Sequence, residues 1–400
     1  MKKLRYIAGI LGMLTIVVSM GCVEKFEANI SDIVTEGLVI EGNIISDSTV
    51  VFRLSRTLPL TETKENEDLF KDYVVSDADL SVVGNDGSSW KGHYSWITRG
   101  YEVQIGTLNP NVEYHLEIQY RGDTYQSEPQ KPLACSGIEK MTFSQPDLYG
   151  PVTIRLDSKE SDLSEPKYYM WYFEEDWEVR AHYATKELYD PYLDKIIHYA
   201  YPPVAQGWCH YGTDKILLGT TESSMENRMV GKIIQSIDHT SHRISVLYSI
   251  RVQQRNLTRQ EYEYYQVRNT LNSEMGGLFT PQPSELPTNV TCSDSKRKVI
   301  GYVGCNMGVA HHQLYIPEDK VAYLDNFRCD SGKEPGPTAK DNYIAGFQIG
   351  DYMAADREVI IEWARHRCVD VRSMGADPTG RPSWWPNPYL YYPSNDGPDY

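Results

Sequence analysis

The sequence is short of positive charge. Its 400 residues contain 39 Lys and Arg against 55 Asp and Glu, which gives a net charge of -16 at pH 7. A surface of this sign repels phosphate backbones, so nucleic-acid binding is disfavoured. Gly and Pro, at 29 and 22 residues, are near average usage, which excludes collagen-like and low-complexity classes. With 40% hydrophobic residues the chain can bury a core, and it is too apolar overall for a disordered protein.

Motifs for catalysis are also missing. The sequence has no Gly-x-Ser-x-Gly elbow, no His-Glu-x-x-His helix and no phosphate-binding glycine loop. Carboxylate pairs occur by chance in so acidic a chain, and glycoside hydrolysis needs two carboxylates at a separation that a sequence does not reveal. We therefore predict that the protein is not an enzyme. A carbohydrate-active hydrolase is the weaker alternative.

Metal-site patterns are weak as well. His239 and His242 are three residues apart, and His311 is next to His312, but neither pair has the further ligands that zinc needs. The acidic run 174–178 lacks the spacing of a calcium loop, and we predict that it is a solvated strand end. No metal and no cofactor are predicted.

Phe and Trp are few, at 8 residues each, whereas Tyr reaches 30. Tyrosine suits strands and surfaces where the ring packs and the hydroxyl stays wet, so a mainly β protein is predicted.

The N-terminal segment indicates export. Lys2, Lys3 and Arg5 precede an apolar run over residues 6–20, which is too short to span a bilayer as a helix. The run ends at Gly21 and Cys22, and this ending resembles the bacterial lipobox, whose cysteine is acylated. We predict a signal peptide over residues 1–21, lipidation at Cys22, a tether over residues 22–33 and an outer-membrane location. The alternative is an ordinary signal peptide with a chance cysteine.

Six further cysteines remain after Cys22, and none forms a Cys-x-x-Cys pair. In an exported chain they can form up to three disulfides, whose pairing the sequence does not reveal. The candidate disulfide cysteines are Cys135, Cys209, Cys292, Cys305, Cys329 and Cys368.

Alternating apolar residues predict that residues 34–134 form a β-sandwich like those of fibronectin type III and transthyretin. Leu108, Pro110 and Tyr114 resemble a tyrosine corner, in which a Tyr hydroxyl bonds to the preceding turn. Residues 135–400 are predicted to form a larger β-rich, sandwich-like domain. Its central strand begins near Tyr168.

Two other features distinguish this second region. Residues 185–240 are predicted to be long irregular loops. A capping box at Thr258 predicts one α-helix over about 258–275, with an apolar stripe packed on the sheet. The stripe residues are Tyr264, Val267, Leu271 and Met275.

The C-terminal stretch crowds many aromatic rings between prolines, which keep it out of helices and sheet interiors. These rings could bind a sugar, a peptide or a receptor loop, or they could pack back onto the sandwich as a latch, which we favour. The candidate binding residues are Trp384, Trp385, Tyr389, Tyr391 and Tyr392.

Ordered motifs over residues 22–385 are similar to a lipoprotein family of Bacteroides-type bacteria known as domain of unknown function 4249 (DUF4249). The chain departs from the family at Val371, where relatives commonly have a second cysteine. The matching motifs are Cys22, Trp208-Cys209, residues 248–258, 261–265 and 276–284, Gly301-Tyr302-Val303, Cys368-x-Asp370-x-Arg372, Gly375, Pro382 and Trp384-Trp385.

The resemblance implies an exported lipoprotein, often encoded beside a TonB-dependent outer-membrane receptor, with no established activity. The leading hypothesis is therefore a non-enzymatic accessory of such a receptor in nutrient capture or uptake. The alternative is a structural or adhesive cell-surface lipoprotein.

Overall fold

The computed structural model describes residues 37–57, 73–160, 167–274 apart from five single positions, 286–326, 329, 331–332, 352–355 and 362–386. The predictions for the signal peptide, for Cys22 and for the tether lie outside these residues. The described chain is mainly β, as predicted. No helix in these ranges is long and apolar enough to cross a membrane.

Nine strands precede residue 134. In chain order they are β1 Leu38–Glu41, β2 Asn43–Ile45, β3 Thr49–Arg56, β4 Asp79–Gly84, β5 Ser89–Lys91, β6 His93–Ser95, β7 Gly100–Gln104, β8 Tyr114–Tyr120 and β9 Asp123–Ser127.

Nine more strands and the main helix follow. They are β10 Ile138–Ser144, β11 Val152–Ser158, β12 Tyr168–Arg180, β13 Glu187–Asp190, β14 Lys195–His198, β15 Gln206–Gly212, β16 Leu217–Thr220, β17 Lys232–Ile237, β18 Leu247–Leu257 and the helix α1 Arg259–Glu274.

The last strands are short. They are β19 Val290–Cys292, β20 Val299–Gly301, β21 Gly304–Asn306, β22 Ala310–Pro317, β23 Ser331–Gly332, β24 Tyr352–Ala355 and β25 Glu362–Arg365, followed by a one-turn helix α2 His366–Val369.

The first sandwich consists of two five-stranded sheets, with strand orders β20-β1-β3-β7-β6 and β19-β9-β8-β4-β5. Alternate residues of β3 point inward, and Val50, Phe52 and Leu54 are buried. The tyrosine corner is present, because the Tyr114 hydroxyl accepts a hydrogen bond from the backbone N–H of Asn109 at 2.9 Å. The predicted sandwich fold of this region is therefore confirmed.

The first sandwich also contains strands from far along the chain, which sequence reasoning assigned to the second region. Strand β20 pairs with β1, β19 pairs with β9, and β21 pairs with β2. Val290, Val303 and Cys305 belong to the core of this sandwich. The range 34–134 stays a prediction as a domain boundary, but residues 290–306 complete the two sheets.

The second sandwich packs the three-stranded sheet β10-β11-β17 against the sheet β15-β12-β18-β22. Strand β12 is central, as predicted, since β18 lies along one side and β15 and β16 share the other. The prediction of irregular loops over residues 185–240 is wrong in part, because strands β13 to β17 occur there. They are short and interrupted, so no long alternating pattern marks them.

Helix α1 begins one residue after Thr258, whose hydroxyl accepts from the Glu261 N–H at 3.1 Å. Its buried side chains are Glu261, Tyr264 and Tyr265. Val267 and Leu271 are only partly buried, and Met275 lies outside the described residues. The helix therefore packs by its first half, where it meets β18 and the segment before β21.

Candidate functional site

A cleft lies between the two sandwiches. Its volume is about 810 Å³. Residues 41–53 of the first sandwich form one wall. Strands β12 and β18, the start of β22 and helix α1 form the other. Ligand sites occur preferentially at such junctions, and this volume is in their usual range.

The charge of the cleft differs from that of the chain. Its charged lining residues are Arg53, Arg255, Arg268 and Glu41, and His311 lies at its edge. Arg268 donates to Glu41 at 2.8 Å and so joins helix α1 to the first sandwich. Arg53 is exposed and makes no ion pair with any described residue. Arg255 is likewise paired with Glu261, so Arg53 is the cation of the described cleft lining that no ion pair neutralises.

The floor of the cleft is held by a buried ion pair. Arg255 lies 2.7 Å from Glu261, and both side chains are almost completely buried. Arg255 also donates to Asn306 of β21 at 2.9 Å. Burial opposes the charge on Arg255, but Glu261 outweighs it and the pKa of Arg255 is raised. Burial likewise raises the pKa of Glu261, and Arg255 opposes this.

This ion pair fixes the relative placement of three segments. Asn306 donates in turn to the backbone carbonyl of Asn256 at 2.8 Å, and Asn43 accepts from the Gly304 N–H at 3.1 Å. A Cβ at Gly304 would lie 2.5 Å from the Glu261 carboxylate, so only glycine fits there. The polar contacts tie β18, β21 and the first sandwich together beneath the cleft.

The acidic run in β12 is buried, which corrects the prediction of a solvated strand end. Glu175 and Glu178 have no exposed surface, and Asp176 is 3% exposed. The reason is that β12 is central and that both of its faces are covered at this end. Each of these three carboxylates has at least one polar partner, but Oδ2 of Asp176 is buried without a hydrogen bond to any described residue.

The partners differ between the two faces of β12. On the face toward the other sheet, Glu175 accepts from Arg243, Gln235 and the Tyr248 hydroxyl. Burial, and then the Glu175 charge, raise the pKa of Tyr248 well above its usual value. The hydroxyl is thus a hydrogen-bond donor and not an acid near neutral pH.

On the opposite face, Glu178 accepts from Arg180 at 2.7 Å, Gln206 at 2.8 Å and the Trp385 indole at 3.2 Å. Asp176 contacts His210 Nδ1 at 2.7 Å. These carboxylates are engaged in the sheet, and none of the described His, Cys, Asp and Glu residues form a group of three that could hold a metal ion.

The structure describes two of the five aromatic candidates. Trp385 is 4% exposed and covers this face of β12. Trp384 lies between Arg251, whose guanidinium is 4.7 Å from the ring centroid, and Tyr315 at 6.4 Å. This is the packing of a latch, and a binding role for the two rings stays a prediction. Tyr389, Tyr391 and Tyr392 lie outside the described residues.

The structure joins Cys329 to Cys368, with Cα atoms 5.7 Å apart. Burial raises the pKa of Cys209 to about 11 and that of Cys305 to about 12, which makes these thiols poor nucleophiles. The free cysteines are Cys135, Cys209, Cys292 and Cys305.

Sequence reasoning missed the cleft. Its wall residues come from segments more than 200 positions apart, and a periodicity analysis treats each segment alone. The motif Gly301-Tyr302-Val303 was a partial indication of this region, because it joins β20 to β21, two of the strands that pair with the first sandwich. Arg53 and Arg268 could not be recognised as cleft residues, because single arginines on a strand and a helix are ordinary surface residues.

The fold and the cleft define a class of protein with two β-sandwiches, a joining helix and a groove between them that is lined by the exposed Arg53. The family model described as "Domain of unknown function (DUF4249)" matches residues 23–307. The chain belongs to this family, as the sequence motifs predicted.

No curated protein matches the chain. Among solved structures it is similar to a DUF4785-family protein from Legionella pneumophila, at 8% identity with a TM-score of 0.16. That match covers 54% of this chain and 52% of the other, so it spans about half the length of that protein. At this TM-score the similarity carries no argument.

Proposed function

We propose that the protein is a lipid-anchored protein of the outer membrane that acts as a non-enzymatic accessory of a TonB-dependent receptor in nutrient capture. The observation that carries the proposal is the cleft of about 810 Å³ between two sandwiches joined by buried polar contacts. Because its walls are held in place, the groove is preorganised, and less conformational entropy is lost when a ligand binds.

The lining favours a ligand with negatively charged groups. Arg53 is exposed in the lining and makes no ion pair with a described residue, and arginine recognises carboxylate and phosphate through paired hydrogen bonds. Tyr172 and Tyr265 add rings that contact apolar parts of a ligand. The ligand class that fits is an anionic nutrient with some apolar surface.

The polar residues near the cleft support binding over catalysis. Glu41 in the cleft lining accepts from Arg268, and Glu261 in the floor is paired with Arg255. A general acid or base needs a free lone pair or proton directed at a substrate. These carboxylates are instead occupied in joining helix α1 to the first sandwich and in holding the floor of the cleft.

The first test is purification of the lipidated protein from its own membranes, with identification of the proteins that travel with it. We expect a TonB-dependent receptor in the wild-type sample. Cys22→Ala is expected to release the protein from membranes, because no other segment of the sequence is predicted to anchor it. A wild-type sample with no receptor would favour the structural or adhesive alternative.

The second test fills the cleft. Gly308 lies in its lining, and a Cβ atom at this position would meet nothing within 4 Å. Gly308→Trp is therefore expected to occupy the cleft without unfolding the protein, and to reduce the ligand recovered by mass spectrometry from the purified complex. The control is Ser224→Trp, at an exposed position that does not line the cleft. Equal recovery from both variants would contradict the cleft as the binding site.

A further inference from the structure

The most exposed apolar pair on the first sandwich lies at the tip of its β6–β7 hairpin. Trp96 is 78% exposed and Ile97 is 95% exposed. The Trp96 ring packs edge-on against Tyr94 at 5.0 Å, and that contact holds it in place. Soluble surfaces carry single exposed apolar residues without consequence, but a tryptophan next to an isoleucine on a projecting turn is a contact surface.

The strand register places this tip at one end of the sandwich. Strand β7 begins at Gly100, one position beyond the Tyr101↔Phe52 pair, so the turn 96–99 projects toward the Arg56 end of β3. Strand β1 begins at that same end, because Leu38 pairs with Arg56. The chain therefore enters the sandwich from its N-terminal segment at the end toward which the hairpin projects.

Basic side chains surround the entry point. The backbone N–H of Leu38 bonds to the Lys298 carbonyl at 3.0 Å, and the β8–β9 turn with Arg121 lies against Gly37 and Arg56. Lys296, Lys298, Arg99 and Arg121 are all exposed. Such side chains place their charge among lipid phosphates while their stems cover apolar surface.

We infer that this end of the first sandwich contacts the membrane surface, with Trp96 and Ile97 inserted among the lipid headgroups. The inference rests on the proposed lipid anchor, since residues 22–36 can span at most about 50 Å and keep this end close to the bilayer. Tryptophan favours the interface between headgroups and acyl chains, and an adjoining isoleucine adds apolar area there. A second contact orients the protein, which one flexible tether does not.

The choice of lipid over a protein partner follows from the position of the tip. Its strand is the outermost of the sheet β20-β1-β3-β7-β6, three strands from β1, so tip and chain entry are about 14 Å apart along one edge. The hairpin tip and the chain entry can therefore contact the same flat membrane surface together. The cleft is lined by β3 residues from Thr49 to Arg53, and not by the Arg56 end of that strand, at which the chain enters.

The test uses the lipidated full-length protein on vesicles of phosphatidylethanolamine and phosphatidylglycerol in which part of the lipid carries brominated acyl chains. Bromine quenches indole fluorescence on contact. We expect brominated lipid to quench about one eighth of the tryptophan fluorescence of the wild type, which has 8 tryptophans. This quenched fraction should be absent from Trp96→Phe, because the other tryptophans stay out of the bilayer. Equal quenching in the two proteins overturns the inference.

A second measurement separates the hairpin from the anchor. In the Cys22→Ala background, Trp96→Ser with Ile97→Ser is expected to lower co-sedimentation with the same vesicles about fivefold. Tyr192→Ser with Leu193→Ser is the matched control, since these residues are 97% and 56% exposed on the other sandwich. If the two double variants sediment alike, the hairpin does not contact lipid.

The outcomes for anchor and hairpin are distinguishable. Palmitate incorporation that persists in Cys22→Ala contradicts the lipid anchor, whereas the quenching difference on vesicles reports on Trp96 alone. A crosslink from residue 96 to the receptor, with no quenching difference, would assign the tip to a protein partner and overturn the membrane contact. Unchanged circular dichroism of the variants excludes misfolding as the cause of any loss.

Discussion

The two sandwiches satisfy their buried polar groups differently. In the first, Ser46 and Ser127 accept from backbone N–H groups at 2.9 Å, the buried Asn289 side chain bonds to the Val303 backbone, and no carboxylate is buried among its described residues. In the second, the central strand carries Glu175, Asp176 and Glu178, which need arginine, histidine, glutamine and tryptophan donors from five other segments. The stability of the first sandwich is therefore expected to depend little on buried charge. The stability of the second depends on hydrogen-bond donors for its buried carboxylates.

The largest effect is expected where the two sandwiches meet. Arg255→Met should lower the free energy of unfolding by about 3 to 5 kcal/mol, because it leaves the Glu261 carboxylate buried without its cation. Denaturant titration measures this.

The double variant Arg255→Met, Glu261→Leu is the control for that prediction. It removes both charges, and we expect it to recover most of the loss. A double variant as unstable as the single one would mean that Arg255 stabilises the junction through Asn306 and not through Glu261.

The next effect concerns the latch on the second sandwich. Trp385→Ala should cost about 3 to 5 kcal/mol of stability, because it empties a buried site and removes a donor from Glu178. Thermal melting of the purified variant checks this.

Co-purification of the same Trp385→Ala variant with the proposed receptor separates the latch from a binding role. A latch predicts a lower melting temperature with unchanged association for each folded molecule. Weaker association at an unchanged melting temperature would instead make the ring part of a binding surface, where aromatic hot spots contribute more than about 1 kcal/mol.

Removal of the disulfide is expected to have a smaller effect, of about 2 to 4 kcal/mol, confined to the second sandwich. The bond between Cys329 and Cys368 closes a loop of 39 residues, and its loss raises the conformational entropy of the unfolded chain. Cys329→Ser should therefore lower the unfolding midpoint, whereas Cys135→Ser, which removes a free thiol, should not. Non-reducing mass spectrometry should find the 329–368 bond, and six reactive thiols in the mature protein would contradict it.

The smallest effect is a pH dependence that arises from His242. Burial lowers the pKa of this histidine, and Arg367 and Arg243 lower it further, against Asp325. The unfolded chain then binds protons more readily below about pH 6.5, so the free energy of unfolding falls as pH drops through that value. Between pH 7 and pH 5.5 we expect less than about 1 kcal/mol, absent in His242→Asn. Unfolding titrations of both proteins at the two pH values should differ, and parallel pH curves would count against this assignment.

Sequence reasoning correctly predicted the elements that are determined by neighbouring residues in the chain. The alternation in β3 and β8, the turn before Tyr114 and the cap at Thr258 each lie within about ten residues, and the structure contains all of them. The acidic run in β12 was misjudged because its burial depends on β15, β18 and the Trp385 segment, which no local pattern reports. The cleft escaped for the same reason, since its walls meet only after residues 290–306 return to the first sandwich.

That return has a consequence for the order in which the molecule is made. Strands β1 and β9 are edges until β20 and β19 arrive, and those two strands are synthesised more than 160 residues after β9. During that interval the first sandwich has two open strands able to pair with another chain. A protein of this topology therefore depends on a chaperone, or on rapid synthesis of its second half, until its earliest strands are paired.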